Sequence, residues 1–236
     1  MPAVGTRFLR LPLSFEPARL VDDMVRCCGA EWTRHVNQRD YTGEWTGIAL
    51  RSPSGTPADL MSVPGSDNYR STPLLAECRY FAEILDGLAC EKETARLLRL
   101  APGAIIKAHT DLAASYADGF FRLHVPITTN DQTRFVVDGE ALLMHPGDCW
   151  YADFTLPHSV RNDGATDRVH LIIDGCRNEW SDRLFEAAGY DFAAEARERQ
   201  MDPHTRRLVI DALRARGSVV DLQLARQLEE DAAAPQ

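Results

Sequence analysis

No stretch of this 236-residue chain approaches the roughly 18 consecutive apolar residues that a membrane span needs. The opening segment MPAVGTRFLRLPLSFEP carries Arg7 and Arg10 and is interrupted by Pro12 and Pro17, so it lacks the apolar centre of a signal peptide. The expected setting is the cytosol, without membrane attachment. Concentrated positive charge is also missing. The net charge is −9 and no long Lys/Arg run occurs, which disfavours a nucleic-acid partner. The six cysteines form no C-x-x-C pair, and adjacent Cys27 and Cys28 do not readily bridge each other. Reduced, mostly buried thiols are therefore expected instead of a disulfide or zinc framework. What remains is ordinary globular composition, 44% apolar and 26% charged, in a chain long enough for a substantial core.

Three zones separate by pattern. In the first, EPARLVDDMVRCC places Leu20, Met24, Val25 and Cys28 at helical spacing, and EWTGIALR reads as a strand. The Gly-, Pro- and Ser-rich run from Ser52 to Pro73 is a long loop of the kind that often binds or covers a ligand. A helical stretch follows across Leu74 to Leu88. The second zone, about 95–175, is a succession of short β-like runs. Pro102-Gly103, Asp138-Gly139, Pro146-Gly147 and Asp163-Gly164 separate them. Eight such runs in some eighty residues indicate an antiparallel jelly-roll barrel or sandwich. From residue 179 the periodicity is helical again, with Gly217 placed to cap one helix before the next and a DAAAPQ tail that should fray. The expected domains are 1–178 and a helical region, 179–236, whose acidic helices are a solvated cap with room for a homodimer contact.

Five of the seven histidines fall in the β-rich zone. His109-Thr110-Asp111 is an H-x-D. In an extended segment its imidazole and carboxylate project to one side and can occupy adjacent positions on a metal, although alone the triplet is weak. Asn162-Asp163-Gly164 reads as a hairpin turn, which would set His158 and Arg168 opposite each other on neighbouring antiparallel strands. A third ligand at His158 would then have a guanidinium one strand away. That arrangement suits a small dicarboxylate held by the metal at one end and by Arg at the other. Two His and one carboxylate with open positions are the facial triad of non-haem Fe(II) oxygenases.

The runs RLLRLAPGAIIKAHTD, FRLHVPITT, FVVDGEALLMHPGDCWYADFTLPHSVRNDG and DRVHLIIDG, in that order, closely resemble the aspartyl/asparaginyl β-hydroxylase superfamily of 2-oxoglutarate-dependent oxygenases. The resemblance covers about eighty continuous residues; YTGEWTGIALRS looks similar too, and the C-terminal helices are not covered. It implies a mainly β (α+β) chain with a double-stranded β-helix, a cupin-like jelly roll flanked by N- and C-terminal helices. It also implies Fe(II), 2-oxoglutarate and O₂ as the reaction partners, with succinate and CO₂ released as an unactivated C–H is hydroxylated. His109, Asp111 and His158 match the metal ligands, and Arg168 matches the anchor of the distal 2-oxoglutarate carboxylate. Arg122 and His124 match a pair beside the cosubstrate or substrate carboxylates. The superfamily's peptidyl aspartyl hydroxylases carry Gly where Asp111 stands. A full triad therefore looks more like the branch that hydroxylates free amino acids such as proline.

Several side chains keep a plainer reading. His170 shares the face of Arg168 and reads as a satisfied barrel-interior imidazole, while His145 sits exposed at a turn. One of Trp150 and Tyr151 points inward, with core packing as the default and substrate lining, for Trp150, as the second role. Arg96 and Arg99 face opposite ways, and either one can be the residue directed at a substrate carboxylate. The substrate class expected is a free amino acid or related small molecule. The alternatives are a peptidyl Asp/Asn or carrier-tethered substrate, and a non-catalytic jelly-roll binding module.

Overall fold

Turn chemistry and period-two alternation place the strands. The computed structural model describes residues 5–62, 68–199 and 203–233. The first half runs β1 (Phe8–Ser14), α1 (Pro17–Cys27), β2 (Thr33–Arg34), β3 (Tyr41–Thr42), β4 (Trp45–Ser52), β5 (Arg70–Ser71), α2 (Pro73–Glu77) and α3 (Arg79–Gly87). The β-rich zone follows as β6 (Lys92–Leu100), β7 (Ile105–His109), β8 (Phe120–Thr128), β9 (Thr133–Val137) and β10 (Glu140–Leu142). It closes with β11 (Asp148–Ala152), β12 (His158–Asn162) and β13 (Arg168–Cys176), and helices α4 (Glu179–Ala187), α5 (Phe192–Arg199), α6 (Pro203–Arg216) and α7 (Val219–Ala233) complete the chain.

An eight-stranded antiparallel sheet has the order β1-β11-β8-β13-β6-β4-β2, with β5 added beside β4; a five-stranded sheet has the order β10-β9-β12-β7-β3. From β6 to β13 the strands alternate between the two sheets except at the β9–β10 hairpin, the arrangement of a jelly roll or double-stranded β-helix. Their inner faces share one apolar core that includes Leu98, Leu100, Ile106, Phe120, Phe135 and Phe154. Strand β13 is buried along almost its whole length, because α1–α3 and the barrel cover opposite faces of the large sheet. Alternation then sends Arg168, His170, Ile172 and Asp174 inward, and Val169, Leu171 and Ile173 outward.

The Asp-Gly signals divide. Asp138 (φ 48°) and Gly139 (φ 79°) form the two-residue hairpin between β9 and β10, both in the left-handed region that such a turn requires. Asn162-Asp163-Gly164 is not a hairpin. Strand β12 pairs with β7 and β9, whereas β13 pairs with β6 and β8, so His158 and Arg168 lie on different sheets. The reason is local. Buried Asn162 donates to the carbonyls of Leu100 and Thr166 and accepts from Gly164 N and Asn130 Nδ2, which bends the chain into a crossover between sheets.

Helix α1 also departs from the apolar pattern. It buries Leu20, Asp23 and Cys27 and leaves Val25 and Cys28 exposed. Asp23 turns inward because its Oδ2 accepts from the backbone N–H groups of Tyr80 and Phe81, donors left unpaired in the first turn of α3. The helical stretch expected over Leu74 to Leu88 breaks into α2 and α3 at Cys78.

Residues 1–191 form one compact unit and 192–236 a second. The first therefore includes α4, whose Phe185 stacks on Tyr116 at 3.8 Å between centroids. Within the second unit, α6 and α7 pack through Ile210, Leu213 and Ala225, and Gly217 (φ 70°) stands between them. Helix α7 includes the first three residues of the DAAAPQ tail; the last three lie outside the described residues, as do 63–67 of the long loop. Among the described residues, no helix is long and apolar enough to cross a membrane.

Candidate active site

The cavity lies between the two sheets and has a volume of about 100 Å³. His109, Asp111, Arg122, His124, His158 and Arg168 are among the residues that line it. His109 ends β7 and His158 begins β12, and the two are register partners across those strands. Their rings lie 4.2 Å apart between centroids. Asp111 follows two residues after His109, held by its N–H to the carbonyl of Phe154.

One ligand atom from each of His109, Asp111 and His158 lies within 4.8 Å of the others. His109 Nε2 and Asp111 Oδ1 are 3.8 Å apart, inside the roughly 4 Å that two ligands about 2.1 Å from one ion allow. Each imidazole places Nδ1 on a backbone carbonyl two residues back, Lys107 O at 2.8 Å for His109 and Leu156 O at 3.0 Å for His158. That contact fixes the tautomer with Nδ1 protonated, so Nε2 of each ring keeps a lone pair for a cation. Burial pushes the pKa of His158 down, which keeps the ring neutral and able to bind a cation.

Deeper in the barrel stands Arg168, 2% exposed. Its Nη2 donates to His170 Nδ1 at 2.8 Å, its guanidinium lies over Phe135 at 5.7 Å, and its buried Nε has no hydrogen-bond partner among the described residues. No carboxylate is paired with it among those residues, and burial alone lowers its pKa to about 9. Both ring nitrogens of buried His124 also lack a partner there, and burial followed by Arg168 and Arg122 holds this ring neutral. Unpaired buried donors and a guanidinium without a counter-charge are costly unless a ligand meets them. These groups fit an anion, and the two imidazoles with Asp111 fit a divalent cation.

The remaining arginines behave differently from expectation. Arg122 lines the cavity but is engaged: Nε and Nη2 donate to Asp174, and Nη1 to Asp111 Oδ2 at 2.9 Å. Of the odd-spaced pair, Arg96 points inward and bonds Asp174 and the carbonyl of Leu60. Arg99 does not reach the cavity. It points outward and pairs with Glu44 and Asp167, as alternation on β6 dictates. Trp150 does not line the cavity either. Its side chain packs against the barrel core and its Nε1 lies 3.4 Å from Asp148 Oδ2, so a substrate-lining role has no geometric support. His170 is buried beside Arg168, and His145 is exposed.

Two lining residues, His35 and Asn37, carry no sequence signal. They belong to an irregular segment with neither alternation nor helical period. His35 stacks on Trp45 at 3.5 Å, and burial, then Arg96, Arg122 and His109, lower its pKa to about 3. Together with Arg96, Asp111 and Arg122 they also border an outer chamber, edged by Leu60, Met61 and Ser62 of the long loop.

A family model described as aspartyl/asparaginyl beta-hydroxylase matches residues 21–178. The chain belongs to this family. Over 174 residues it is 28% identical to the L-proline cis-4-hydroxylase of Rhizobium meliloti (strain 1021), a match covering 72% of this chain. The match spans 61% of that relative's length. A crystal structure of an oxidoreductase of the 2OG-Fe(II) oxygenase family from Burkholderia pseudomallei shares the fold. It is 16% identical, with a TM-score of 0.51 over 72% of this chain and 86% of that one. The part of the chain that matches the family model contains the whole cavity described above.

Proposed function

We propose that this chain is an Fe(II)- and 2-oxoglutarate-dependent dioxygenase that hydroxylates an unactivated C–H of a free amino acid, proline-like, or a closely related small molecule. The balanced reaction consumes substrate, 2-oxoglutarate and O₂ and yields hydroxylated substrate, succinate and CO₂. One observation carries the reading: two imidazoles and a carboxylate converge in the same cavity as a buried guanidinium without a counter-charge.

His109, Asp111 and His158 would hold the metal on one side and leave the side toward the cavity for cosubstrate and O₂. Bound Fe(II) would supply the redox chemistry that activates O₂. Arg168 would receive the distal carboxylate of 2-oxoglutarate through its free edge, as a charge-assisted, directional pair in a dry site. His124, neutral and with both nitrogens unpartnered, would donate one N–H to that ligand. Phe135 and Phe154 wall this region and exclude water, which strengthens those contacts. The substrate would enter through the outer chamber, where Arg96, His35, Asn37 and Ser62 stand around its path to Asp111.

The test is anaerobic loading with Fe(II) and 2-oxoglutarate, then aerobic exposure to a panel of free amino acids, Asp/Asn peptides and carrier-tethered amino acids, read as succinate. Succinate release stimulated by a small amino acid, matched by hydroxylated product, supports the reading. Stimulation by peptides or tethered substrates alone moves the assignment to the larger class. No 2-oxoglutarate consumption under any condition contradicts the enzyme and favours a binding module.

A further inference from the structure

Asp174, on β13 beside Arg122 of β8, is fully buried. Its carboxylate accepts from Thr94 Oγ1 at 2.7 Å, Arg96 Nη2 at 2.6 Å, Arg122 Nε at 2.7 Å and Ser62 Oγ at 2.9 Å. Two guanidiniums around one carboxylate leave a local excess of one positive charge. The other anion that Arg122 meets is Asp111, whose Oδ2 accepts Nη1 at 2.9 Å. The remaining oxygen, Oδ1, is the one that faces His109 Nε2 at 3.8 Å. A planar guanidinium held by two nitrogens on Asp174 has its third direction fixed, so the position of Asp111 is set from behind.

From this geometry we propose that Asp174, acting through Arg122, is a positioning residue for Asp111. Arg122 occupies one carboxylate oxygen and presents the other alone to the metal. Arg122 then serves the metal site as an outer support and is not primarily a substrate clamp. The same carboxylate bonds Ser62, and Arg96 bonds the carbonyl of Leu60, so the loop bordering the outer chamber is tied to the same support. The proposal rests on the reading of His109, Asp111 and His158 as a metal site.

The test is Co(II) titration of the full chain without 2-oxoglutarate or substrate, followed by calorimetry and by visible absorption. Outer partners of metal ligands are worth about 10–100-fold in affinity, so Asp174→Asn should weaken Co(II) binding by that factor. Arg122→Lys should also weaken it, because one ammonium cannot hold both carboxylates. In an Asp111→Gly background, read at higher Co(II), Asp174→Asn should have no further effect. The proposal is overturned if Asp174→Asn and Arg122→Lys bind Co(II) as the unaltered chain does. It is equally overturned if Asp174→Asn weakens binding as much without Asp111 as with it. Should Asp174→Asn not fold, Arg122→Lys with and without Asp111 decides by the same comparison. Failure of the unaltered chain to bind Co(II) would instead refute the metal site itself.

Discussion

Arg122 and Asp111 share a hydrogen bond of 2.9 Å that joins the large sheet to the segment after β7, directly behind the cluster of potential metal ligands. It distinguishes this site from one in which a substrate carboxylate alone neutralises Arg122. Replacing Asp111 by Gly removes both a ligand and the partner of Nη1. Substrate-coupled succinate formation should fall at least about 100-fold, the upper end of what loss of an outer partner alone costs. Assays at saturating Fe(II) check this, and activity within a few-fold of the unaltered enzyme would remove Asp111 from the ligand set.

His109→Ala and His158→Ala should each abolish coupled turnover, since each deletes a donor that no neighbouring group replaces. Circular dichroism should show both variants folded, because Nδ1 of each ring makes only one backbone contact.

Arg168→Ala should act chiefly on the cosubstrate, raising the KM for 2-oxoglutarate while leaving the Co(II) affinity of the site near its original value. The same residue predicts a pH effect. Burial lowers its pKa to about 9, so the ligand-free site loses this positive charge as pH rises past that value. Affinity for 2-oxoglutarate, measured from pH 7 to 10 on the metal-loaded protein, should be flat and then weaken by up to about tenfold per pH unit, the limit for one titrating group. A flat profile throughout would show that Arg168 keeps its proton or does not meet the ligand.

Asp174 links the support to stability. Burial alone would raise its pKa, but Arg122 and Arg96 outweigh that and hold it well below the usual carboxylate range. The folded value lies below the unfolded one. Its contribution is therefore complete above about pH 4 and is lost as pH falls from there toward the folded value. Asp174→Asn leaves two buried arginines short of a partner and should cost about 3–5 kcal/mol at pH 7. Below pH 4 its stability should change less with pH than that of the unaltered chain. Urea unfolding across pH 3 to 7 checks both statements.

Phe185 tests the boundary at 191. Fully buried and stacked on Tyr116, it fastens α4 to the barrel. Phe185→Ala should destabilise the barrel unit by about 3–5 kcal/mol, as for other large aromatic truncations. A loss under 1 kcal/mol in thermal unfolding would mean that α4 is peripheral.

The order of strands and the inward positions were legible because period-two alternation and turn residues act locally. His109 with Asp111, and Arg96 opposed to Arg99, follow from that period alone. Pairing was less legible. Asp138-Gly139 and Asp163-Gly164 present the same dipeptide, yet only the first makes a hairpin, because buried Asn162 binds backbone across the barrel and redirects the chain. Arg122 and Asp174 are fifty-two residues apart, and their ion pair is set by strand register, which no local pattern encodes. His35 was silent for a similar reason: its place at the cavity depends on stacking against Trp45.

The central claim is best tested by anomalous diffraction from crystals of the full chain soaked anaerobically with Fe(II). The account predicts one iron peak per chain, bonded by His109 Nε2, His158 Nε2 and a single oxygen of Asp111. A peak bound elsewhere, or no peak at saturating Fe(II), would contradict it.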